Sequence, residues 1–142
     1  MDITLKQAKL KIRSYCDKKF KNKISVSVDE SIQPLINGRC HYNATWAVRS
    51  GKAVAVVECV MINDNGTCTA HFINMLEDGR YVDYTLGYEW AGCDYRLSRV
   101  ITKDFPQAEK MLSDFKRKIV NESGLSFLAR KLHIKENLDH LL

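Results

Sequence analysis

Three side chains able to carry out covalent chemistry together stand at Cys40, His71 and Asp83. Cys40 lies in "NGRCHYNATWAV", just after the Asn37-Gly38 turn pair and where a helical pattern begins. A thiol is a strong nucleophile only as thiolate, and two settings favour that form: a helix N-terminus and a neighbouring imidazolium. The position of Cys40 supplies the first. The second needs a histidine delivered from elsewhere in the chain. His71, in "TCTAHFINML", is the candidate base. His41 is adjacent to Cys40, but successive helical residues do not face one another, so His71 is preferred. A catalytic imidazole needs a partner that fixes its tautomer and orientation, and Asp83 in "RYVDYTL" is placed for that. Taken singly, each residue also has an ordinary reading: a small buried thiol, a strand histidine, a polar strand end.

The elements that must position these groups follow from periodicity. Leu5, Ala8, Ile12, Tyr15, Cys16 and Phe20 recur at helical spacing between lysines, which predicts a helix over 4–20 with Cys16 in the core. "KISVSVD" alternates as a short strand, and "ESIQPLINGR" carries the turn chemistry of a loop. A helix is expected from Cys40 to a stop at Gly51. The valine-rich "KAVAVVECVMI" reads as a buried strand that includes Cys59, with Glu58 either facing outward or buried against a partner. "TCTAHFINML" and "RYVDYTL" form a hairpin around "EDG", and "DYRLSRVI" is a further strand. A helix capped by Thr102 or Asp104, with Pro106 in its first turn, presents Met111, Leu112, Phe115 and Ile119. "GLSFLARKLHIKENLDHLL" is a last helical segment. The expected fold is α+β, one domain over 1–142, with helices flanking an antiparallel sheet.

The hairpin decides whether His71 and Asp83 meet. A two-residue turn centred on Asp78-Gly79 sets Asp83 opposite a position near Asn74, and His71 opposite a position near Leu86 or Gly87. That register separates the two side chains. An earlier turn centre or a bulge brings them together.

"GRCHYNA" followed by "AHFINMLEDGRYVDYTLG" resembles the transglutaminase-like and papain-like cysteine enzymes, and is similar in particular to the arylamine N-acetyltransferases. The matching positions are Gly38, Cys40 and Asn43, then His71, then Val82, Asp83 and Gly87, within residues 37–87. The resemblance implies a Cys40 nucleophile, a His71 base, an Asp83 orienter, and a papain-like or transglutaminase-like core. It also implies oxyanion or substrate-binding roles for Gln33 and Asn43. The aromatic segment "GYEWAGCDY", with Trp90, is the expected wall of a substrate cleft. Attack on an amide or ester carbonyl through a thioester follows, resolved by water or an amine in hydrolysis, deamidation or acyl transfer. No cofactor and no metal are implied.

Composition bounds the alternatives. With 45% hydrophobic and 27% charged residues among 142, a packed core is expected rather than disorder. No apolar run approaches the ~20 residues of a membrane span, and "MDITLKQAKLK" lacks a signal core, so the expected setting is cytoplasmic. The five cysteines, Cys16, Cys40, Cys59, Cys68 and Cys93, have no C-x-x-C spacing, which disfavours a zinc cluster or a disulfide framework. Cys68 and Cys93 are the expected exposed thiols. The net charge of +5 is spread over lysine-rich helix faces without interleaved aromatics, so nucleic acid is disfavoured as a partner. A protein or a small amide or ester is the expected substrate. The competing class is a non-catalytic binding or inhibitor protein, of the kind phages and mobile elements carry, acting on a protein or nucleic acid. The position of His71 relative to Cys40 discriminates the two readings.

Overall fold

A computed structural model describes residues 3–27, 29, 35–36, 39–86, 93–102 and 107–124. In chain order the elements are helix α1 (Ile3–Lys19), strands β1 (Lys23–Ile24) and β2 (Val26–Ser27), and helix α2 (Cys40–Arg49). Strands β3 (Ala55–Ile62), β4 (Cys68–Met75), β5 (Tyr81–Val82) and β6 (Asp94–Ile101) follow, then helix α3 (Ala108–Glu122). The architecture is α+β, with described helices packed on one sheet.

Six strands run in the order β1-β6-β3-β4-β5-β2. The sheet is mixed rather than purely antiparallel, because β2 pairs parallel with β5 while the other pairs are antiparallel. The reason lies in one short segment. β1 and β2 occupy opposite ends of the strand order, yet only Ser25 separates them in sequence. A single extended stretch thus bridges both edges, and the sheet rolls nearly into a barrel. A register shift between Glu58 and Cys59 in the β3–β6 pair adds the local twist that bulges bring.

Rolling gives the sheet two apolar faces. The outer face carries Val56, Val60, Ile62, Cys68, Ala70 and Phe72 and is covered by the helices. Two of the helices meet it with a stripe at four-residue spacing: Ala8, Ile12 and Cys16 from α1, continued by Phe20 just beyond its end, and Met111, Phe115 and Ile119 from α3. Phe115 packs edge-on against both Phe20 and Phe72. Burying each large side chain contributes about 1.5–3 kcal/mol. The inner face carries Val26, Val57, Cys59, Met61, Ile73 and Tyr95. Glu58 is buried on β3, where Ser98 donates to its Oε2 at 2.7 Å and Arg99 Nε pairs with that oxygen at 3.2 Å.

Several boundaries differ from the sequence reading. The strand expected over "RYVDYTL" pairs only at Tyr81 and Val82 and then turns. α3 follows Gln107, whose side chain makes no capping bond. Asp104, Pro106 and the last helical segment lie outside the described residues. Cys68, expected to be exposed, is buried, and its thiol donates to Cys16 Sγ at 3.4 Å.

Candidate active site

The β4–β5 hairpin closes through Leu76 N–H to Arg80 O and Gly79 N–H to Leu76 O. Gly79 takes φ 87, a left-handed conformation that a side chain would strain. The ladder then pairs Asn74 with Val82 and Met75 with Tyr81. This is one residue off the register of a two-residue turn centred on Asp78-Gly79. A one-residue slip exchanges the faces of a strand. Carried one residue past its last pair, this register brings Asp83 level with Ile73, on the face shared by Ile73 and His71, instead of level with Asn74. The two side chains become diagonal neighbours, a separation that long side chains bridge.

They bridge it with a hydrogen bond: His71 Nε2 lies 2.8 Å from Asp83 Oδ2, and both residues are buried. The carboxylate is held on all sides. Tyr95, on β6, donates its hydroxyl to the same Oδ2 at 2.6 Å. Thr85 N–H and Leu86 N–H donate to Oδ1 at 2.9 and 3.0 Å. Burial pushes the Asp83 carboxyl up, but His71, Tyr95 and the Leu86 N–H outweigh it and hold the group below the usual carboxylate range. Cys59 donates its thiol to the His71 carbonyl at 3.5 Å, which steadies the strand behind the ring.

Asp83 occupies Nε2 of His71 and leaves Nδ1 for Cys40. The ladder explains how the thiol gets there. β5 stops at Val82, so the edge of β4 beyond Asn74 is unpaired on that side. The start of α2 fills the gap, and the Phe72 N–H acts on the Cys40 sulfur. Cys40 is only 8% exposed. Burial alone raises a thiol. Here His41, His71 and the Phe72 N–H reverse that effect and lower it to about 6. For His71, burial lowers the imidazole, while Asp83 and Cys40 raise it to about 10. Between those values the pair is a thiolate and an imidazolium.

Asn43 sits one helical turn along from Cys40. Its Nδ2 donates to Ile36 O at 3.0 Å and to Thr85 Oγ1 at 2.8 Å. It therefore ties the approach to the nucleophile to the turn that holds Asp83. Gln33 and Trp90 lie outside the described residues, as do Asn37, Gly38 and Gly87. Among the other aromatics, Tyr84 is buried and donates to Asp29 at 2.8 Å, while Trp46 is 42% exposed on α2.

Sequence reasoning passed over two features of the site. Tyr95 ends the aromatic segment "GYEWAGCDY" expected at a cleft wall, and it lies instead against Asp83. Strict alternation along "DYRLSRVI" sets Tyr95 and Leu97 on one face, a signal that points it inward with the site. His41 was expected to turn away from the sulfur, yet it is buried and acts on it. Among the described residues, no group of three or more His, Cys, Asp or Glu side chains is arranged to hold a metal ion. No described helix is long and apolar enough to cross a membrane. No family model matches the chain, and no curated protein or solved structure matches it either.

Proposed function

We propose that this chain is a cysteine enzyme of the transglutaminase-like or papain-like kind, with Cys40 as nucleophile, His71 as proton carrier and Asp83 as orienter. The observation that carries this reading is the 2.8 Å bond from His71 Nε2 to Asp83 Oδ2, which leaves the other ring nitrogen to a thiol lowered to about 6. A buried thiol without a role has no need of an oriented imidazole.

The chemistry follows from the charges. The Cys40 thiolate attacks an amide or ester carbonyl, forming a C–S bond, and the carbonyl electron pair moves to oxygen. The leading N–H groups of α2, which have no intrahelical acceptors, face the developing oxyanion. The tetrahedral intermediate collapses, the amine or alkoxide leaves, and it takes the proton held by His71. A thioester remains on Cys40. Neutral His71 then removes a proton from water or an amine as that group attacks the thioester carbon. The sulfur leaves as thiolate, and the resting ion pair is restored.

A small activated ester such as p-nitrophenyl acetate tests the reading without knowledge of the native substrate. Intact-mass analysis at neutral pH is expected to show one acetyl group, mapped to Cys40, formed quickly in the wild-type chain. Acylation is expected to be lost in Cys40→Ser and slowed severely in His71→Ala. Equal acylation of wild type and His71→Ala rejects the reading and leaves the non-catalytic binding class.

A further inference from the structure

Cys40 has a second imidazole for a neighbour. His41 is only 4% exposed, and neither of its ring nitrogens makes a hydrogen bond of normal geometry. Leaving buried polar atoms so is unfavourable, and folded proteins contain few of them. The ring does have charged surroundings. It is the chain neighbour of Cys40, which it favours as thiolate. Its Nε2 lies 3.7 Å from Glu109 Oε1, in the first turn of α3. That same oxygen accepts the Tyr42 hydroxyl at 2.7 Å, and the Arg39 guanidinium stands 5.2 Å from the Tyr42 ring centre. The groups facing His41 are therefore Cys40 and Tyr42 on its own helix, Arg39 just before it, and Glu109 across from it. Tyr42 first, and then His41 and Arg39, hold the Glu109 carboxyl below its ordinary range against a smaller opposing effect of desolvation.

We propose that His41 is a second imidazole stabilising the Cys40 thiolate, with Glu109 as its carboxylate, so that the nucleophile is served by one sealed acid–imidazole pair and one open to solvent. The proposal rests on the cysteine-enzyme reading above and adds a control to it. Asp83 and His71 are closed off from water, so their effect on the sulfur is fixed by the fold. Glu109 is exposed, with 65% of its side chain accessible, so whatever neutralises or covers it changes the reactivity of a buried nucleophile.

The direction of one shift separates this arrangement from a simple charge effect. A carboxylate acting directly on the thiol disfavours thiolate, and its removal lowers the thiol titration. A carboxylate acting through His41 favours thiolate, and its removal raises that titration. The experiment is the pH dependence of iodoacetamide alkylation of Cys40, read by peptide mass spectrometry, in wild type, His41→Phe, Glu109→Gln and His71→Ala. Glu109 is exposed, so its variant keeps the fold even if His41→Phe does not. The expected result is an upward move of the Cys40 titration of roughly half a unit in Glu109→Gln and about one unit in His41→Phe. No move, or a downward move, in Glu109→Gln overturns the proposal. His71→Ala reports separately: a large upward move there with Glu109→Gln unmoved sinks the second imidazole alone, and an unmoved His71→Ala sinks the triad.

Discussion

Asp83, the residue just after β5, and His71 on β4 meet on a diagonal, with Oδ2 and Nε2 at 2.8 Å. That oxygen also accepts the Tyr95 hydroxyl, and Oδ1 is committed to two backbone N–H groups. An asparagine at 83 must keep its oxygen at the Oδ1 position to satisfy those two donors. Its NH2 then faces His71 Nε2, which has to become an acceptor. The ring proton moves to Nδ1, the atom that must act as base toward Cys40. Asp83→Asn is thus expected to keep the fold and lower kcat/KM by about 10⁴-fold, less than the loss in His71→Ala. Steady-state kinetics on an activated ester measure this, and unchanged turnover in Asp83→Asn means that another group orients the ring.

This diagonal marks the limit of what the sequence made legible. The α+β class, α1, α2, β3, β4 and β6 were legible: α1 buries one stripe at helical spacing, while the valine-rich run of β3 is buried on both faces, as a continuous apolar strand requires. β6 matches its expected span, Asp94–Ile101. The hairpin register did not follow, because it depends on how Leu76, Gly79 and Arg80 close the loop, and several loops fit "MLEDGRY". The parallel β2–β5 pair did not follow either. Two-residue strands carry no periodicity, and the pairing joins segments far apart in sequence. Glu109 reads locally as an acid in a first helical turn, and only tertiary packing brings it to His41.

Tyr95 contributes through Asp83 rather than by touching the sulfur. Tyr95→Phe removes a hydrogen bond to a buried carboxylate while keeping the ring that packs against Val57, Cys59 and Met61. A hydrogen bond to a charged group is worth about 1.5–3 kcal/mol, so the variant is expected to lose roughly that much stability in urea unfolding. Acid unfolding is expected to begin at higher pH, because Asp83 loses one of the donors that hold its carboxyl down and its stabilising contribution is lost earlier as pH falls. A variant as stable as wild type, with the same acid unfolding, means the hydroxyl is idle.

The five cysteines are expected to separate by chemistry. Cys40 is thiolate above about 6 and slightly accessible. Burial raises the Cys59 thiol, and for Cys16 the Cys68 thiol and then burial do so. Cys93 is partly exposed, but desolvation, Asp83 and Asp64 raise it. Brief iodoacetamide treatment near pH 6.5 is expected to label Cys40 first, with Cys93 joining only at alkaline pH. Labelling of Cys93 before Cys40 at pH 6.5 contradicts the ion pair.

The ion pair also predicts a flat stretch in stability against pH. His71 is raised from 6.5 to about 10, so its contribution is full below 6.5 and is lost as pH rises through about 10. Cys40 is lowered from 9 to about 6, so its contribution is full above 9 and is lost as pH falls through about 6. Each group alone gives a slope between 6.5 and 9, and the slopes have opposite sign. Proton counting shows that they cancel. In that window the folded pair holds one proton, on His71, and the unfolded pair also holds one, on Cys40. Stability changes with pH only where the two states hold different numbers of protons. The pair therefore adds no slope from about pH 6.5 to 9, and stability falls on either side. Cys40→Ala removes one member. The folded chain still holds a proton on His71, because Asp83 remains, and the unfolded chain has lost it. The variant's stability relative to wild type is then expected to fall steadily as pH rises from 6.5 to 9, measured by urea unfolding at several pH values. Parallel curves for the two proteins across that window mean that Cys40 and His71 do not share the proton.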